Sequence, residues 1–142
     1  MAGSLVEFLQ TVASKQFREG DVIFREGDQP DDTMYFVFGG EVGIFKNRPE
    51  GERKINHLVP GMFFGEMALV NSRPRLATAR ILTSTARLAM INKDILLKLA
   101  GKRPQFLFNL LKYSVSRLLA GEDKLQRLKE ELQVIKRQRG IT

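Results

Sequence analysis

Apolar positions in this chain keep one period at the start, change to another through the middle, and change back towards the end. Leu5, Phe8, Leu9 and Val12 stand at i, i+3, i+4 and i+7, which predicts a short amphipathic helix over residues 4–13. Ser4 is placed as its N-cap, and Glu7 three residues on completes a capping box. Then the runs shorten. Arg18-Glu19-Gly20-Asp21 returns seven residues later as Arg25-Glu26-Gly27-Asp28, with Val22-Ile23-Phe24 between them. Two Gly-Asp turns around a β-branched run predict strand, turn, strand, turn. Further strands are expected at residues 34–38, 41–45, 54–59, 78–83 and 85–91, the last with Ala86, Leu88 and Met90 facing inward, and Pro60-Gly61 turns the chain into Met62-Phe63-Phe64. Short strands at even spacing, punctuated by glycine, indicate an antiparallel sandwich or barrel.

From Asn92 the period lengthens again. Asn92 caps a helix expected to run through Leu99, with Asp94 in its first turn and Gly101 ending it. Pro104 starts the next, whose broad apolar face includes Phe106, Leu110 and Leu111. Gly121 is expected to interrupt this helix, which then continues over residues 122–138 as a highly charged one. Leu118, Leu125 and Leu132 are seven apart, with Leu128 and Ile135 at the complementary heptad positions. Two heptads fall short of the three or four that mark a coiled coil, so a homodimer through the C-terminal helix and a single helix resting on the sheets both stay open.

Composition changes the picture little. The 142 residues suit one domain with a real core, and 43% hydrophobic with 27% charged residues is ordinary for a globular chain. No apolar run approaches the ~18 residues of a membrane span, and the start lacks a secretory signal, so the cytoplasm is the expected compartment. Zero cysteines exclude disulfides, thiolate catalysis and cysteine zinc sites. The net charge of +7 is unevenly placed: from Lys93 onward twelve Lys and Arg face five Asp and Glu, whereas the preceding chain carries eleven of each. The basic excess therefore belongs to the C-terminal helices. Such an excess suits nucleic acid or an acidic surface, and more commonly is a solvated face.

The chemistry is concentrated in residues 64–79, FGEMALVNSRPRLATA. Gly65 can turn sharply and let its backbone approach a ligand. Residues 66–70 form a short run of helix formers whose free amides suit an anion. Arg75, nine positions after Glu66, carries a planar fork of donors that fits a phosphate, and Pro74 stiffens the approach to it. An acceptor for sugar hydroxyls and several donors for one phosphate in a single segment read as a cyclic nucleotide pocket.

Other candidates are weaker. His57 is the sole histidine, so a histidine-rich metal site is excluded and a structural role, or a minor place in a pocket wall, is expected. No serine or threonine has both a histidine base and an orienting group. Asp28, Asp31 and Asp32 cluster in a loop and read as solvated carboxylates rather than metal ligands. No G-x-x-x-x-G-K-[ST] loop is present. The expectation is a binder without catalytic residues, metal or cofactor.

Residues 64–79 resemble the phosphate-binding cassette of the cyclic nucleotide-binding domain family, whose pattern is roughly FGE-x-AL followed by PR-x-A-T/S. The glycine framework from Phe17 to Asp28 and from Tyr35 to Val42 is also similar to the family's. The resemblance implies an α+β fold: a small antiparallel, jelly-roll-like β-roll with a short N-terminal helix, a cassette helix and long C-terminal helices. It implies that Glu66 accepts from the ribose 2′-hydroxyl, that Arg75 pairs with the cyclic phosphate, and that Gly65 and amides around Met67, Ala68 and Ala77 complete the shell. Leu76 stands where a hydroxyl residue in the family helps to hold guanine, which implies cyclic AMP as the ligand with cyclic GMP second. Matching the family's lid helix brings Arg117, Gly121 and Glu122 towards the base.

Domains are expected at residues 1–120, the binding domain with its lid, and 121–142, a charged helical extension. Proteins of this family that act as transcription regulators carry a DNA-binding module after the long helix, for which residues up to Thr142 leave no room, so nucleic acid is not an expected partner. The alternatives are a stand-alone sensor, a regulatory fragment of a larger channel, kinase or transcription regulator, and an adaptor working through its basic C-terminal helix. An effector protein is expected in each case.

Overall fold

In the computed structural model, residues 14–140 are described; the helix expected over residues 4–13 lies outside them. Eight strands follow one another: β1 (Ser14–Arg18), β2 (Val22–Phe24), β3 (Thr33–Gly39), β4 (Val42–Arg48), β5 (Gly51–Leu58), β6 (Phe63–Phe64), β7 (Thr78–Ile81) and β8 (Thr85–Asn92). The helices are α1 (Glu66–Asn71), α2 (Lys93–Lys102) and α3 (Pro104–Gln138). The strands form two antiparallel sheets, ordered β1-β8-β3-β6 and β2-β7-β4-β5. Only the β4–β5 connection stays within a sheet; every other passes to the opposite one. That path makes an α+β β-roll.

The core lies between the sheets. Tyr35, Val37, Phe64, Ala86 and Leu88 from one sheet meet Val42, Leu58, Ala79 and Ile81 from the other. Each sheet contributes alternate residues of its strands, as a two-layer packing requires. On β8 the expected inward set holds, with Ala86 and Leu88 in the core and Met90 packed against it, but Ala89 and Ile91 are fully buried as well. β8 is a central strand covered on both faces, which period-two reading cannot distinguish from a half-buried one.

The chain divides into two compact units after Lys98. At the end of the first, Asn92 Oδ1 accepts from the Ile95 amide at 2.9 Å, the expected N-cap of α2. In the second, Pro104 sits in the first turn of α3, where its missing N–H costs nothing. Two glycines do not act as expected. α2 runs past Gly101 to Lys102, and α3 runs through Gly121 as one helix of 35 residues. α2 ends one residue after Gly101, whereas at Gly121 the glycine cost of about 1 kcal/mol against alanine is outweighed by long flanking runs of good helix formers. The expected division after residue 120 thus falls inside an unbroken helix. Among the described residues no helix is long and apolar enough to cross a membrane.

Candidate functional site

The repeated Arg-Glu-Gly-Asp segments fold into the same turn twice. In each, the aspartate carboxylate accepts from the arginine amide, Arg18 N to Asp21 Oδ2 at 2.8 Å and Arg25 N to Asp28 Oδ2 at 2.9 Å. Gly20 and Gly27 take φ of 85° and 88°, a conformation that costs any other residue. Each turn then grips one residue of the opposite chain segment by a reciprocal pair of backbone bonds. The first holds Ile81: Gly20 N donates to Ile81 O and Ile81 N to Asp21 O, both at 2.9 Å. The second holds Arg75: Gly27 N donates to Arg75 O at 2.8 Å and Arg75 N to Asp28 O at 2.9 Å.

The Arg75 backbone is fixed in this way, and its side chain is packed as well. The residue is 5% exposed. Nη1 donates to Gly65 O at 3.0 Å; Nη2 donates to Thr33 O at 2.8 Å and to Asp31 Oδ1 at 2.5 Å. The guanidinium lies 4.1 Å from the Phe24 ring centroid and 5.9 Å from that of Tyr35. The fork that fits a phosphate is therefore already held by three acceptors and an aromatic face. A buried guanidinium requires a counter-charge, and Asp31 supplies it from the loop before β3. One donor remains over: Arg75 Nε is buried and has no partner. Burial raises the Tyr35 phenol above its ordinary range; Asp31 adds to this and Arg75 opposes it.

Gly65 opens α1 in the left-handed region, φ 79°, with no side-chain cap on the helix. A Cβ there would stand 2.8 Å from Arg75 Nη1, so the glycine serves both the turn and the seat of the arginine. Glu66 is half-buried at the first position of α1, Ala68 and Ala77 are buried, and Met67 and Leu76 are exposed. Thr78 is buried, its hydroxyl accepting from the Glu26 amide at 2.9 Å. The structure thus brings Gly65 to Arg75 directly, with Glu66, Met67 and Ala68 on the helix that Gly65 starts, and Leu76 and Ala77 following the arginine.

Arg117, Gly121 and Glu122 are exposed on α3, in the second unit; the Arg117 guanidinium lies 5.7 Å from the ring of Tyr113, one turn back. His57 is a surface residue of β5. Lys54 Nζ donates to its Nδ1 at 3.1 Å, which leaves Nε2–H to donate to Glu41. Among the described residues no group of three or more His, Asp or Glu is placed to hold a metal ion.

Sequence reasoning missed Asp31, Thr33, Phe24 and Tyr35 as partners of Arg75. A signal for Asp31 was present: an arginine beside small residues and an apolar turn needs a carboxylate, and the loop of residues 28–32 is rich in them. The Thr33 carbonyl leaves no mark in a sequence.

The sequence profile of the Cyclic nucleotide-binding domain matches residues 14–103, well over half of the chain. The chain belongs to the cyclic nucleotide-binding domain family. Within it, this cyclic nucleotide-binding domain is 39% identical over 88 residues to a cAMP-dependent protein kinase regulatory subunit of Hypocrea atroviridis, covering 62% of this chain and 18% of the subunit. It is 30% identical over 116 residues to a CRP-like cAMP-activated global transcriptional regulator of Mycobacterium tuberculosis, covering 81% of this chain and 50% of the regulator. Among solved structures it is similar to the catabolite activator protein of Thermus thermophilus, with a TM-score of 0.79 and 27% identity over 91% of this chain and 60% of that one. The chain spans half or less of the length of both curated relatives.

Proposed function

We propose that this cyclic nucleotide-binding domain takes cyclic AMP in preference to cyclic GMP and signals through its C-terminal helices to an effector protein. The observation that carries the ligand class is Arg75: a buried guanidinium, positioned by backbone and side chain alike, whose Nε has no partner. An unpaired buried donor costs about 1–3 kcal/mol, and an anion arriving at that edge of the fork removes the cost. In this reading Glu66 accepts from the ribose 2′-hydroxyl, and the small Ala68 and Ala77 let the phosphate come close to the backbone. Relatives named for cAMP support the choice of nucleotide. Leu76 supports it too, because it cannot accept from the guanine 2-amino group. A buried donor without an acceptor predicts roughly 5- to 150-fold discrimination. Calorimetric titration with both nucleotides is the test; cyclic GMP binding equal to or tighter than cyclic AMP refutes the preference, and no binding of either refutes the ligand class.

Signalling requires a ligand that gains more in one state than in another. We assign that gain to α3, with Arg117 stacking on the purine and Gly121 and Glu122 beside it, so that residues 1–120 act as binding domain plus lid and residues 121–142 as the extension that responds. Ligand then slows hydrogen exchange across residues 110–125. Protection confined to residues 64–79 would make the domain a passive binder. In the same reading the domain is regulatory rather than enzymatic and works in the cytoplasm. The exposed apolar residues of α3, among them Leu125 and Leu132, favour a second reading, an adaptor acting through that helix without ligand; thermal stabilisation by cyclic AMP separates the two.

A further inference from the structure

The two faces of the β4–β5 hairpin differ in charge balance. On the outer face each charged residue has a partner: Arg80 donates twice to Glu52 and lies over the Phe45 ring, while Lys54, His57 and Glu41 form one hydrogen-bonded chain. The inner face begins in the core, where Val42 pairs with Leu58 and Ile44 packs beside them. Side chains alternate along a strand, so Lys46 and Arg48 continue that face, and Arg53 stands directly opposite Lys46. Among the described residues no carboxylate pairs with any of these three cations, Glu50 at the hairpin tip included. Like charges placed opposite one another destabilise a strand pair. An acid beside Arg53 would remove that cost.

β5 is the last strand of its sheet and contains no proline. Its residues 51–55 are exposed. Such an edge presents unpaired main-chain donors and acceptors to another strand. Beyond it the His57 amide is engaged by the Asn56 side chain at 2.8 Å, which leaves residues 51–55 as the open stretch. A second copy of β5 does not fit there, because antiparallel pairing about its middle sets Arg53 and Lys54 against the same two cations. We propose that this edge takes an extended acidic segment of a partner protein as an added strand. Main-chain bonds to β5 give the affinity, and the cationic row on the inner face chooses an acidic occupant. The segment alternates: a carboxylate beside Arg53 on the inner face, and uncharged residues on the outer face, where charge is already balanced. Nucleotide recognition is not required, so Arg75→Leu takes the segment as the parent does.

The probe is a fluorescent peptide of alternating glutamate and threonine, followed by anisotropy at low salt. Binding is expected, and Lys46→Gln combined with Arg53→Gln should weaken it by about tenfold or more. The same pair of substitutions should raise the melting temperature, because it removes a repulsion from the free hairpin. A cation removed elsewhere, Lys129→Gln on α3, should change neither. N-methylating alternate peptide residues separates an added strand from a loose ionic contact: one alternate set should abolish binding and the other leave it within about twofold. No binding, a lower melting temperature in the double variant, or equal loss from both methylated sets overturns the proposal. Duplex DNA that binds more tightly than the peptide at the same salt, and is lost in the same double variant, assigns the face to nucleic acid instead and also overturns it.

Discussion

Residues 18–21 and 25–28 carry the same four amino acids and fold into the same turn, but they hold different things. The first turn closes on Ile81, a residue of the apolar core with 1% exposure. The second closes on Arg75, a buried cation with an unused donor. Their outer anchors differ as well. Glu19 N donates to the carbonyl of Ser84, which every residue type would supply, whereas Glu26 N donates to the hydroxyl of Thr78, which valine would not. One local sequence therefore serves packing in one place and presents an ion in the other. What decides the difference is the residue gripped, not the grip.

The largest effects follow from removing the gripped residues. Ile81→Ala leaves a core cavity and costs about 2–5 kcal/mol of stability, read by denaturant unfolding. Cyclic AMP affinity per folded molecule should stay within a few-fold. Arg75→Leu reverses the pattern: binding falls by about 2–5 kcal/mol or more, because the phosphate loses its counter-charge in a desolvated site. Some stability is lost with it, since the carbonyls of Gly65 and Thr33 lose a donor. Arg75→Lys rescues in part, because a point charge cannot fork. Equal affinity losses in Ile81→Ala and Arg75→Leu would abolish the distinction between the turns.

Next come the glycines. Gly20→Ala and Gly27→Ala meet no neighbouring atom within 4 Å, so each carries only the left-handed backbone cost, about 1–2 kcal/mol. Gly65→Ala carries that cost and also puts its Cβ 2.8 Å from Arg75 Nη1. Unfolding should thus rank Gly65→Ala as the most destabilised, and calorimetry should show lost nucleotide affinity in Gly65→Ala and Gly27→Ala, not in Gly20→Ala. Thr78→Val is gentler, removing one part-buried hydrogen bond from the second turn at about 1 kcal/mol, with a matching small loss of affinity.

Much of this was legible in the sequence because turns, caps and strands are local. The Arg-Glu-Gly-Asp repeat, the Asn92 cap and the Pro104 start each depend on neighbours a few residues away. The contact of Gly65 with Arg75 falls within one segment for the same reason. The pairing of Arg75 with Asp31, 44 positions earlier, was not legible, because it depends on how β3 lies beside α1. Gly121 misled in the opposite direction: a local preference of about 1 kcal/mol was overridden by the length of helix on either side. Ala89 and Ile91 were hidden because burial of both faces of β8 depends on the chain that covers it.

The smallest expected effect tests whether the second turn reaches beyond the cassette. Glu26 Oε2 accepts from the amide of Asn47, at the tip of the β4–β5 hairpin, at 2.9 Å. On that hairpin Glu52 accepts two bonds from Arg80, at 2.8 and 2.9 Å. Hydrogen bonding from Arg80 lowers the Glu52 carboxyl below its ordinary value of 4.5; Arg80's charge lowers it further and that of Arg25 adds to this, against a desolvation that raises it. A carboxyl with a lowered folded pKa contributes stability that is fully present above the unfolded value and lost as pH falls through the folded one. The melting temperature of Glu52→Gln should therefore fall below the parent's at neutral pH, and the gap should close as pH drops below about 4.5. Arg25→Ala should move that closure slightly upward in pH, since one source of the lowering is gone, while Arg18→Ala, on the first turn, leaves it in place. An equal shift in both arginine variants would mean that net charge, not the placement of the second turn, sets the acid limb.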